Sequence, residues 1–251
     1  MRKPLIVANW KMHKNMVETH SYFIRLAPLL AGGKELPEVV VCPPFTSLSQ
    51  AAASTADTPL KLGAQNMFWE EKGSYTGEIS PLMLRECSCR YVILGHSERR
   101  QILHESSRII NQKIHAAFKA DLIPIFCVGE TWQERRDNRT REVLKDQLTR
   151  GLEEIRHKIE QLVIAYEPVW AIGSGNHASP GDAQKIALFL RETLASMFNP
   201  GAAAAIRILY GGSVTKENIA GFMQQPDVDG ALVGGASLEA EEFSRIVRFD
   251  N

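Results

Sequence analysis

Residues 206–237 read IRILYGGSVTKENIAGFMQQPDVDGALVGGAS. Two apolar runs, Ile206–Tyr210 and Gly230–Val233, each end in a glycine pair: Gly211-Gly212 ahead of Ser213, and Gly234-Gly235 ahead of Ala236 and Ser237. Short, non-alternating apolar runs are the mark of parallel strands covered on both faces. A glycine pair directly after such a strand lets backbone N–H groups approach a ligand, and a following helix N-terminus favours an anion. Singly, each pair is also an adequate tight turn. Two of them on neighbouring strands match the phosphate site that eight-stranded barrels build after strands seven and eight.

The same kind of run recurs upstream, at Leu5–Ala8, Val39–Cys42, Leu60–Ala64, Tyr91–Leu94, Ile123–Val128 and Leu162–Tyr166. Helical patterns lie between them. Ile110, Ile114, Ala117 and Phe118 keep one helical face, and Ala183, Ile186, Ala187, Leu190, Leu194 and Met197 keep another. Ser179-Pro180-Gly181-Asp182 carries a helix-start signature: a capping serine, proline at the first helical position and an acid three residues on. Pro28, inside the first helical pattern, predicts a kink or an early end there. Eight strands alternating with helices leave a closed (β/α)₈ barrel or an open doubly wound sheet. The count of eight and the 251-residue length favour the barrel, as one domain over residues 1–251. The open sheet also wants GxGxxG after its first strand, where this chain has Asn9-Trp10-Lys11.

Composition narrows the chemistry. Lys plus Arg and Asp plus Glu number 29 each, so no net field attracts nucleic acid. No apolar run approaches the ~18 residues of a membrane span, and Leu5–Ala8 is shorter than the ~7–15 residue core of a signal peptide. Cys42, Cys87, Cys89 and Cys127 form neither a CxxC pair nor a zinc pattern, which suits a reduced, cytoplasmic protein. No metal cluster and no cofactor motif is evident.

In a barrel of this kind the C-terminal strand ends form the active face. Asn9 and Lys11 follow the first strand, Gln65 and Asn66 the third, Gly95, His96, Ser97 and Glu98 the fourth, and Glu167 the sixth. Each has a bland reading. Most lysines are solvated, a histidine can cap a helix, and Ser97 can simply begin one. Glu167 is harder to dismiss, because an acid at the edge of an apolar strand needs a partner or a task. One base, one imidazole, one lysine and one phosphate cradle together suit proton abstraction beside a carbonyl, with the enediolate charge held by Lys11 and the imidazole.

The motifs ANWKMH, AQNMFWEEKGSYTGEIS, VILGHSERR, CVGE, AYEPVWAIGSG, YGGSV and GALVGGASL, in this order from Ala8 to Leu238, resemble the triosephosphate isomerase family. The resemblance implies that Glu167 is the base, that His96 polarises the carbonyl as a neutral ring, and that Lys11 holds the substrate anion. It implies that Asn9 binds substrate oxygens and that Gly173, Ser213, Gly234 and Gly235 donate to phosphate. By the same resemblance Glu98 would stand behind the residues that touch the substrate, Ile172 and Leu232 would clamp Glu167, and residues 169–178, with Trp170 in the near hinge, would form a closing lid. It also implies a homodimer, in which the 66–79 segment inserts into a second subunit and Thr76 nears its Lys11. A plain surface loop bearing exposed Phe68 and Trp69 is the other reading of that segment. The lid departs from the family's Thr-Gly-Lys-Thr-like ending at Ser174-Gly175-Asn176-His177, which touches the far hinge and no catalytic group. The alternatives are a barrel acting on another sugar phosphate and a non-catalytic phosphate-binding barrel.

Overall fold

A computed structural model describes residues 2–32, 35–171 and 178–250. Eight strands, β1 Leu5–Asn9, β2 Glu38–Cys42, β3 Lys61–Ala64, β4 Cys89–Leu94, β5 Ile123–Val128, β6 Val163–Tyr166, β7 Arg207–Tyr210 and β8 Gly230–Val233, form a closed barrel in sequence order. All neighbours pair in parallel, and β1 closes on β8 with Leu5 beside Gly230 and Ala8 beside Val233. The strands lie within a residue or two of the apolar runs read from the sequence.

The helices are α1 Met16–Leu30, α2 Leu48–Thr55, α3 Pro81–Glu86, α4 Ser97–Gln101, α5 Ser107–Lys119, α6 Trp132–Arg136, α7 Thr140–Gly151, α8 Pro180–Met197, α9 Pro200–Ala205, α10 Ile219–Met223 and α11 Ala240–Val247. The predicted start of α8 is as read: the Ser179 side chain accepts from the Asp182 N–H, with Pro180 at the first turn. Pro28 neither ends nor shortens α1 ahead of itself; the helix continues to Leu30. Lying in the last turn, Pro28 removes one N–H while the helix end is already close.

Because strand side chains alternate, each strand serves two cores. Leu5, Val7, Val40, Tyr91, Ile93, Ile125, Val163, Leu209 and Leu232 fill the barrel interior. Ile6, Ala8, Val41, Val92, Leu94, Ile164 and Ala231 face the helices. Burial on both sides explains why the runs carry no polar alternation.

A polar triad closes the N-terminal end of the barrel. Arg207 donates to Glu38 Oε2 at 2.7 Å and to the Tyr91 hydroxyl at 2.9 Å, and that hydroxyl donates to Glu38 Oε1 at 2.8 Å. Burial alone raises the Glu38 carboxyl, but the hydrogen bonds from Arg207 and Tyr91 prevail and hold it below the usual carboxylate range. A folded value below the unfolded one gives stability that is complete above the ordinary carboxylate range and is lost as pH falls through the folded value. Glu38→Gln is therefore expected to cost about 1–2 kcal/mol at neutral pH. The gap from wild type in urea midpoint should narrow as pH is lowered beneath the carboxylate range; a gap that stays constant with pH excludes this account.

Candidate active site

The site lies at the C-terminal strand ends, in a cavity of about 280 Å³ lined by Asn9, Lys11, His96, Glu167, Leu232 and the two glycine turns. The residues singled out after strands one, four, six, seven and eight thus converge although they are scattered over more than 220 positions.

Glu167 is 2% exposed. Its Oε1 is 2.9 Å from His96 Nε2, and its Oε2 accepts from the Ser97 N–H at 2.8 Å. Burial disfavours its charge, yet the facing ring and the Ser97 N–H outweigh this and hold the carboxyl below the usual range, so it is ionised at neutral pH. His96 is the N-cap of α4: its Nδ1 accepts from the Glu98 N–H at 3.2 Å. A ring that accepts at Nδ1 carries its proton on Nε2 and donates it to Glu167. Burial pushes the His96 value down, while the Glu167 carboxylate pushes it up and prevails. The Glu98 N–H and the positive end of α4 act in the opposite sense, because both oppose a second proton on the ring.

Lys11 Nζ is 2.7 Å from Glu98 Oε1. The Lys11 backbone has φ +53°, a left-handed conformation uncommon for a residue with a side chain. Two side chains hold it there. Asn9 Oδ1 accepts from the Lys11 N–H at 3.1 Å, and Gln65 Nε2 donates both to Lys11 O at 2.8 Å and to Cys42 O at 2.9 Å. Gln65 was visible as a strand-end residue, but nothing in its type signalled that it fastens the lysine's backbone.

Glycines set how closely the strands approach Glu167. A Cβ on Gly129 would lie 1.7 Å from the Glu167 carbonyl oxygen, and one on Gly211 would lie 2.9 Å from Glu167 Cγ. Gly234 and Gly235 line the same cavity as Lys11, and a Cβ on Gly234 would be 3.5 Å from Lys11 Cε. The Gly235–Ser237 segment is a single 3₁₀ turn leading toward α11. The pair after β7 differs from the expectation of a helix directly behind it: α10 begins only at Ile219. Ser213 lies in the intervening loop, which Asn218 braces by donating to Ser213 O and accepting from the Thr215 N–H.

Near the lid, Trp170 Nε1 donates to Glu130 Oε1 at 2.9 Å, and the Arg135 guanidinium stacks 4.2 Å over its ring. Glu130, fully buried, also accepts from the Tyr166 hydroxyl at 3.1 Å. Nothing in the sequence CVGE, of which Glu130 is the last residue, signals this role. At the far side the Ala178 N–H donates to the Tyr210 hydroxyl at 3.2 Å. Ile172 and Gly173, and the unusual Ser174 to His177, on which the lid expectation falls, lie outside the described residues.

The base of the 66–79 segment is tied down from inside. Lys113 donates to Asn66 Oδ1 at 2.8 Å and pairs with Glu105, which also accepts from Arg99. Phe68 and Trp69 are half-buried rather than exposed. Phe68 stacks on Trp69 at 3.9 Å and packs on Tyr75 at 4.4 Å. Thr76 is exposed. Among the described residues, no group of His, Cys, Asp and Glu is arranged to hold a metal ion, and no helix is long and apolar enough to cross a membrane.

A family model described as triosephosphate isomerase matches residues 4–250. Curated proteins of that name are similar along the whole chain. The one from Dictyoglomus turgidum is 52% identical over 249 residues, covering 99% of this chain and 100% of the relative. The one from Moorella thermoacetica is 51% identical over 251 residues, covering 100% of both. The one from Trichlorobacter lovleyi is 47% identical over 250 residues, covering 99% of each.

Proposed function

The chain belongs to the triosephosphate isomerase family, and from that premise we propose how its residues interconvert D-glyceraldehyde 3-phosphate and dihydroxyacetone phosphate. The observation that carries the assignment is a fully buried, ionised Glu167 facing the His96 ring in one cavity with Lys11 and the glycine turns.

Glu167 is the base. It takes a proton from the carbon beside the carbonyl and returns it to the neighbouring carbon, through an enediolate shared by both triose phosphates. Both of its oxygens are engaged, by His96 and by the Ser97 N–H, so the carboxylate turns from them to reach the substrate. A substrate oxygen arriving at His96 Nε2 takes over the ring's N–H and releases Oε1. With the carboxylate turned away, the group that raised the ring's proton affinity is gone; burial and the Glu98 N–H on Nδ1 then keep His96 neutral as it polarises that oxygen. Lys11 supplies the positive charge nearest the developing enediolate, and Asn9 fixes both the lysine's backbone and the substrate oxygens. The N–H groups of Gly234 and Gly235, with Ser213, hold the phosphate. Gly173 completes that set and Ile172 joins Leu232 against Glu167, both from the lid. Glu98 steadies Lys11 and the ring, and Trp170 anchors the near hinge on Glu130. No cofactor enters these steps.

We also propose that the chain is one barrel domain over 1–251, acts in the cytoplasm and works as a homodimer. Its four cysteines are free thiols. The braced 66–79 segment presents exposed Tyr75 and Thr76 to a second copy, and Met12, Leu82 and Met83 are exposed as well. A fast, coupled assay with glyceraldehyde 3-phosphate tests the function: pure, folded protein without turnover overturns it. Sedimentation at micromolar concentration tests the assembly, and a monomer there excludes the dimer.

A further inference from the structure

We infer that Tyr22, on the buried face of α1, is a positioning residue for phosphate binding, because its hydroxyl anchors the turn that presents Gly234 and Gly235. The inference rests on the reading of that turn as the phosphate cradle.

Tyr22 is fully buried, and its hydroxyl donates to the Ser237 carbonyl at 2.9 Å. Ser237 is itself fully buried, and it points two donors at one atom: its N–H reaches Gly234 O at 2.8 Å and its Oγ reaches the same oxygen at 2.6 Å. A continuous line of hydrogen bonds therefore runs from the core helix α1 to the cavity wall. Its effect follows from peptide geometry. The Gly234 carbonyl and the Gly235 N–H belong to one planar trans peptide and point in opposite directions. Holding the carbonyl toward Ser237 aims the Gly235 N–H away from Ser237. Neither glycine has a side chain to fix that plane by packing, so the two Ser237 bonds fix it instead.

The surroundings of Tyr22 give the hydroxyl this task. Its ring meets Trp10 edge-on at 4.7 Å and Phe23 at 5.6 Å, contacts that a phenylalanine ring makes equally well. Among the described residues the Trp10 indole N–H has no partner at hydrogen-bond distance; it acts on the Tyr22 hydroxyl and lowers its value slightly against the effect of burial. Burial pushes the Tyr22 hydroxyl far above its ordinary range, which keeps it a donor at every working pH.

Four proteins test the inference, each assayed for kcat, KM and competitive inhibition by inorganic phosphate. Tyr22→Phe removes one oxygen and is expected to raise KM and the phosphate inhibition constant together by about three- to tenfold, the ratio that matches one lost hydrogen bond. Its kcat should stay within about twofold, since no group that meets the reacting carbons moves. Leu26→Ala, from the same buried face of α1, should lower the thermal midpoint at least as much and leave both constants unmoved. Gly235→Glu tests the cradle itself: a Cβ there meets nothing within 4 Å, so the backbone stays and a carboxylate enters the anion's place. If Gly235→Glu weakens phosphate inhibition and Tyr22→Phe does not, the role of Tyr22 is refuted while the cradle stands. If Gly235→Glu leaves phosphate inhibition unchanged, the cradle reading falls and this inference with it. Should Tyr22→Phe not be recovered folded, Ser237→Ala cuts the next link and must show the same split between KM and kcat; unchanged constants there refute the inference.

Discussion

Glu167→Asp is expected to lower kcat by about two orders of magnitude while KM changes by less than about threefold. Removing one methylene draws the carboxylate back by roughly the ~1 Å that suffices to spoil a near-attack geometry. The rest of the site is left in place. Lys11 stays paired with Glu98, the Nδ1 of His96 keeps the Glu98 N–H, and the glycine turns are untouched. Binding, which depends on those groups, persists, whereas proton transfer, which depends on where the carboxylate ends, does not. Aspartate also remains ionised beside His96, so a change of charge cannot be the cause of the loss. Steady-state kinetics in both directions check it. Turnover within about threefold of wild type would place the base elsewhere.

Gly129→Ala is expected to injure both stability and turnover. The new methyl would sit 1.7 Å from the Glu167 carbonyl oxygen and 2.7 Å from its carbon, and both are backbone atoms that no rotamer change removes. Gly129 cannot easily give way either. Gln147 from α7 accepts from its N–H at 2.9 Å and donates to its carbonyl at 3.0 Å. The adjoining ladder bond, from the Glu167 N–H to Val128 O at 2.8 Å, ties the two strands just there. The strands must part or Glu167 must be displaced. Overpacking of this kind costs about 1–3 kcal/mol or more, and a displaced base costs about a hundredfold in kcat. Denaturant midpoints and kcat measured on the same preparation decide the matter. A variant with wild-type values of both would mean that the two strands are freer than their hydrogen bonds imply.

How far the chain could be read before folding depends on what each residue interacts with. The strands were legible because burial on two faces writes a run of apolar letters, and the starts of α8 and α4 were legible because capping is local. Glu167, His96 and Lys11 stood out because charged or titratable groups at strand ends need a reason to be there. Gln65, Gly129 and Glu130 did not, since each acts on a backbone or ring that folding brings from another strand. Gln65 looks like any polar residue until Lys11 is seen in its left-handed conformation with its carbonyl turned to that amide. Pro28 does not itself end its helix for a related reason: it lies in the last turn, and where the helix ends is a tertiary matter. Tyr22 was silent too, because a tyrosine in an apolar helical stripe has the same pattern whether or not its hydroxyl has work.

The pairing of β1 with β8 has a consequence for synthesis. Leu5 to Ala8 find their last partners in Gly230 to Val233, more than 220 positions downstream. During translation the first strand waits with one edge bare, and no amount of upstream folding can cover it. Such long-range closure is slow, and an uncovered strand edge is an invitation to pair with another nascent chain. The β8-facing edge of β1 is therefore expected to stay unpaired until residues 230–233 have been made. A chain truncated anywhere before residue 230 never covers that edge and is expected to need chaperones to stay in solution.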